Sequence, residues 1–143
     1  MSERAVRPGV LVSVAVAVSV IVGLGGCSAP IPGGDTPESA VAAFYRALGA
    51  KDSAAACALV AYDGKPLAGD DITLCRSGFD VVVTQIAGAD ELAGLAQASA
   101  SAATVTGDNA IVRAEALTGV PAAYRQDVRL VRVAGRWYIE SPE

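Results

Sequence analysis

Side chains able to do chemistry are few in this chain. Its 143 residues include three cysteines, Cys27, Cys57 and Cys75, and no histidine. Without an imidazole, proton transfer near neutral pH falls to carboxylates, tyrosine or lysine held in a pocket. The acids Asp63, Asp70 and Asp71 lie in a stretch of turn-forming residues, where solvated carboxylates are ordinary. Asp70-Asp71 could meet a cation, but no calcium-loop spacing follows it. Cys57 and Cys75 with no histidine supply too few ligands for a metal site, and they are 18 apart, far from the Cys-x-x-Cys of a redox pair. Arg125, Arg129, Arg132 and Arg136 would fall on both faces of a hairpin, which suits a solvated surface better than an anion site. No residue is assigned a catalytic, metal-binding or cofactor-binding role on this reading.

The residues before Cys27 differ from the rest. Arg4 and Arg7 sit in a short basic start, Leu11 to Leu24 is apolar and Val-rich, and Leu24-Gly25-Gly26-Cys27 closes the segment. A basic start, an apolar middle and small residues before a cut describe a secretory signal. The alternative, an uncleaved membrane span, needs roughly 20 apolar residues, and Pro8, Gly9, Gly23, Gly25 and Gly26 shorten the clean stretch. The ending resembles the bacterial lipobox, which implies cleavage between Gly26 and Cys27 and a diacylglycerol thioether on Cys27. Each buried CH₂ contributes about 0.8 kcal/mol, so two or three acyl chains hold durably where one does not. Residues 27–35 then read as a lipidated cysteine and a flexible tether, because Pro30, Pro32, Gly33 and Gly34 oppose any regular element.

With Cys27 assigned to lipid, Cys57 and Cys75 remain as an even pair in an oxidising compartment. A disulfide is the first reading, and two free thiols in the core the second. Removing residues 1–26 leaves 117 residues with 9 basic and 14 acidic side chains, since Arg4, Arg7 and Glu3 go with them. That is one domain, assigned to 36–143. Its acidic balance speaks against nucleic acid, which is bound by displacing counterions with Lys and Arg.

The elements that must position these groups follow from periodicity. Thr36-Pro37-Glu38 opens a helix, with a cap, a first-turn proline and an acid at the positive dipole end. Val41, Phe44, Tyr45 and Leu48 share one face, and Gly49 ends the helix. Asp52 or Ser53 caps a second, short helix through Val60, and Tyr62 to Asp70 reads as loop. Over Ile72–Ile86, Cys75, Phe79, Val82 and Ile86 share a helical face while Val81-Val82-Val83-Thr84 favours a strand. The reading is helix to about Phe79, then strand or continued helix. Asp90–Ala98 reads as a further short helix or an ordered loop. Ala103–Thr106 and Ala110–Leu117 form one hairpin, Tyr124–Val133 and Arg136–Ser141 another, with alternation broken between Leu130 and Val131 by a bulge or by cover on both faces. Helices before an antiparallel sheet predict an α+β fold.

Residues 36–60, TPESAVAAFYRALGAKDSAAACALV, and 128–142, VRLVRVAGRWYIESP, resemble the opening helices and last hairpin of exported domains with the nuclear-transport-factor-2-like, or cystatin-like, cone fold. Actinobacterial lipoproteins of this type often carry a cysteine pair placed as Cys57 and Cys75 are. The nine arginines against two lysines fit such a GC-rich source. The resemblance implies helices packed on a curled antiparallel sheet around a pocket, here lined by Phe44, Phe79 and Trp137 unless these are plain core. Isomerases of this fold use Asp and Tyr in an apolar cavity, for which Tyr45, Tyr62, Asp63 and Asp80 are the candidates. Tyr45 belongs to an apolar helix face, where packing is its default role. The expectation is a lipid-anchored, extracytoplasmic, non-enzymatic interaction module on the outer face of the membrane. Its partner would be an envelope protein. The alternatives are a carrier or sensor of a small apolar ligand, and an isomerase- or cyclase-like enzyme.

Overall fold

A computed structural model describes residues 31–85 and 88–141. The segment expected to be a signal, with Gly26 and Cys27, lies outside the described residues. The fold is α+β. Helix α1 runs over Pro37–Gly49. A reciprocal cap starts it: the Ser39 amide donates to Thr36 Oγ1 at 3.1 Å, and the Thr36 amide donates to Ser39 Oγ at 3.0 Å. Helix α2, Ser53–Cys57, is capped by the Asp52 carboxylate. Strands β1 (Val60–Tyr62) and β2 (Lys65–Pro66) turn at Asp63-Gly64. This hairpin replaces the loop expected from Tyr62 to Asp70. Gly64 at φ +68° supplies the left-handed turn position.

Helix α3 spans Asp70–Gln85 without a break. The β-branched run Val81–Thr84 does not form a strand, because local β preference is weak against tertiary anchoring. Phe79 is buried, Asp70 and Asp71 favour the first turn, and Thr84 Oγ1 donates back to the Asp80 carbonyl at 2.7 Å. Helix α4 is Ala89–Ala96. Then come β3 (Ser99–Ala100), β4 (Thr104–Thr106), β5 (Asn109–Val112), β6 (Leu117–Thr118), β7 (Val128–Val133) and β8 (Arg136–Glu140). The strand expected to reach Leu117 stops at Val112. A 3₁₀ turn over Ala114–Ala116 follows, and β6 leaves to pair with β3.

The main sheet has the order β2-β1-β8-β7-β5-β4. It is mixed rather than wholly antiparallel, because β1 lies parallel to β8. The connection from β1 to β8 runs through α3, α4 and the intervening strands, and so long a connection permits parallel pairing. Ladders β5–β7 and β7–β8 run without a bulge. The broken alternation at Leu130–Val131 therefore reflects cover on both faces, with Leu130 buried and Val131 half-buried.

Residues 32–35, expected to belong to a tether, are part of the fold. Gly34 exchanges two backbone bonds with Trp137, at 2.8 and 2.9 Å, and the Gly33 amide donates to the Ala58 carbonyl at 3.0 Å. Arg136 donates to the Pro32 and Gly33 carbonyls at 3.2 and 2.6 Å and pairs with Asp35. The core sits between the sheet and α1, where Val41, Ala56, Leu95, Val112, Leu130 and Trp137 are buried.

Candidate functional site

Helix α1 supplies one wall. Its stripe buries Val41, Tyr45 and Leu48 and leaves Phe44 partly open. The Phe44 and Tyr45 rings meet edge to face at 5.8 Å and 71°. Arg46 Nε donates to the Ala98 carbonyl at 2.8 Å, which braces α1 against the end of α4. Gly49 permits that approach, since a Cβ there would lie 2.7 Å from the Leu92 carbonyl oxygen.

Helix α3 is the opposite wall. It buries one side chain, Phe79, and exposes Leu74, Val81 and Val82. Cys57 and Cys75 stand at disulfide distance, with Cα atoms 6.0 Å apart, and fasten α3 to α2. Between the walls lies a groove of about 370 Å³ lined by Phe44, Tyr45, Leu48, Val60, Cys75, Phe79, Val82, Leu95, Ala123, Tyr124 and Gln126. That volume falls in the range of small-ligand sites, and an apolar lining with a few polar groups is their usual composition. The polar groups are two tyrosine hydroxyls and one amide. Burial pushes the Tyr45 hydroxyl pKa upward, so it stays neutral at physiological pH.

Two of the three expected lining residues, Phe44 and Phe79, meet in the groove. Trp137 does not line it. The Gly34 bridge and the β7–β8 register fix Trp137 beneath Arg132, whose guanidinium carbon lies 5.3 Å from the ring centroid. Of the four titratable candidates only Tyr45 reaches the groove. Tyr62 is exposed on β1, Asp63 is exposed at the turn, and Asp80 points off the outer side of α3. No carboxylate lines the groove. Among the described residues no cluster of acids and cysteines is placed to hold a metal ion.

The arginines divide their work. Arg132 pairs with Asp108 at 2.8 Å, Arg136 holds Pro32–Asp35, and Arg125 donates to the Val120 carbonyl at 2.9 Å. Arg113, not singled out from sequence, pairs with Asp127 at 2.6 Å. The Ala114 amide and then Arg113 hold the Asp127 carboxyl below the usual aspartate range. Sequence reasoning also missed Val60, Leu95, Tyr124 and Gln126 in the lining. Tyr124 and Gln126 come from and just after a 3₁₀ turn over Ala122–Tyr124, which carries no periodic signal. No helix among the described residues is long and apolar enough to cross a membrane. Compared with models of protein families, with curated proteins and with solved structures, the chain finds no match.

Proposed function

We propose that this chain is an exported lipoprotein, cleaved before Cys27 and anchored by it to the outer face of the membrane. It acts without catalysis, as a binding module whose working surface is the groove between α1 and α3. The observation that carries this reading is the groove itself: apolar walls, neutral polar groups and no lining carboxylate. Its occupant is a small apolar ligand. Helices packed on one face of a six-stranded sheet, with an apolar groove at their side, also support the nuclear-transport-factor-2-like cone as the finer description of the fold.

The test is titration of the mature chain with the neutral apolar dye N-phenyl-1-naphthylamine. Saturable binding is expected, weakened at least tenfold by Val82→Glu, which puts a charge into the lining at an exposed position. Binding that is absent, or indifferent to Val82→Glu, overturns the assignment of the groove. A second reading has its own observation. Leu74 and Val81 are 74 % and 57 % exposed on the outer side of α3, which suits an envelope protein docking there. Cross-linking from position 81 in intact cells would then capture a discrete partner, lost on Leu74→Asp.

A further inference from the structure

Pro32-Gly33-Gly34-Asp35 has the composition of a linker and the contacts of a fixed mount. Gly33 stands at φ +79°, and a Cβ there would lie 2.8 Å from a Tyr138 ring carbon and 2.9 Å from Arg136 Cβ. Gly34 is equally confined, with 2.7 Å to the Ala40 Cβ. Both glycines are there for close approach, not for flexibility. The Tyr138 hydroxyl also donates to the Pro32 carbonyl, at 3.3 Å.

The mount has a side. Residues directly opposite on neighbouring strands share a face of the sheet. Leu130 opposes Ile139, and Ile139 opposes Val60, a groove residue; that face looks toward the helices. Tyr138 opposes Val131 on the other face, and it is Tyr138 that Pro32 meets. The leading end of the stem, Pro32, thus lies on the sheet face opposite the groove, while Gly34 joins the sheet edge beside β8. Pro32 follows Cys27 by five positions, a reach of at most about 17 Å.

We propose, resting on the lipid-anchor reading, that the stem is a rigid mount which holds the outer sheet face against the phospholipid bilayer and turns the groove away from it. Charge agrees. Net acidity would repel the domain from an anionic leaflet, yet the outward positions of β4, β5, β7 and β8 carry Arg129 and Arg136 against one acid, Glu140, which accepts from the Gly64 amide. The acids beside this face, Asp35, Asp108 and Asp127, are each paired with an arginine.

The lipidated chain, reconstituted into phosphatidylethanolamine–phosphatidylglycerol vesicles, tests this. A nitrobenzoxadiazole dye is attached at Thr106→Cys on the outer face or at Ser77→Cys on α3, and the quencher is a nitroxide carried on lipid headgroups. At least twofold stronger quenching is expected at 106 than at 77. A stem lengthened by about ten Gly-Ser residues after Ser28 should abolish the difference without touching the fold. Equal quenching with the native stem, or stronger quenching at 77, overturns the mount. A chain that fails to float with the vesicles overturns the anchor instead, so the two failures are separate.

Discussion

At the scale of single residues, the chain places unusual weight on groups that look ordinary. Gly33 has the sequence context of a spacer, but its positive φ and its contact with Tyr138 make it a structural residue. Gly33→Ala is expected to cost about 1–3 kcal/mol, read as a lowered midpoint in thermal or urea unfolding. Asp127 sets a pH limit. Its carboxyl pKa is lowered in the folded state by the Ala114 amide and by Arg113. A depressed carboxyl stabilises the fold above the unfolded value, near pH 4, and that contribution is lost as pH falls through the lower folded value. Asp127→Asn should therefore flatten the acid limb of the stability profile, and an unchanged limb would remove the assignment. Which carboxylates are held and which are free was not legible from sequence, because the partners of Asp127 and Asp108 lie 14 and 24 positions away.

At the scale of elements, α1 and the β7–β8 hairpin were legible because each repeats its period strongly: Val41, Tyr45 and Leu48 on one stripe, Val128 and Leu130 on one face. Helix α3 was legible only in its first half. Its apolar residues serve two masters, Cys75 and Phe79 toward the body and Leu74 and Val81 toward solvent, so no clean stripe marks it. That divided pattern has an energetic consequence. With one buried side chain, α3 depends on Phe79 and on its tie to α2. Closing the loop between Cys57 and Cys75 contributes about 3 kcal/mol in the chain-entropy picture. Cys57→Ser should lower the unfolding midpoint accordingly, and a reductant should act on the parent chain but not on the variant. Phe79→Ala should cost about 3–5 kcal/mol and raise amide exchange along α3 first. Equal exchange along α1 and α3 would mean that α3 is no weaker than the body. The groove was half legible: Phe44 and Phe79 come from periodic helices, whereas Val60 and Tyr124 are brought in by a parallel strand and an irregular turn.

At the scale of the whole molecule, Cys27 and the folded domain are joined by a few residues. On the lipoprotein reading, Cys27→Ala should strand the precursor at its uncleaved size. A variant that still reached mature size and stayed with the membrane would refute the role of Cys27. The pairing of stem and last strand also bears on how such a chain is born. Gly33 and Arg136 are 103 positions apart. A chain that crosses a membrane with its amino terminus leading presents Gly33 and Gly34 long before β8 exists to receive them. Contacts so distant in sequence form late, since the loop between them must close first. The stem thus locks only once the final strand has emerged, and a chain cut short before Arg136 loses in one stroke the seat of its stem and the strand that joins β1 to β7.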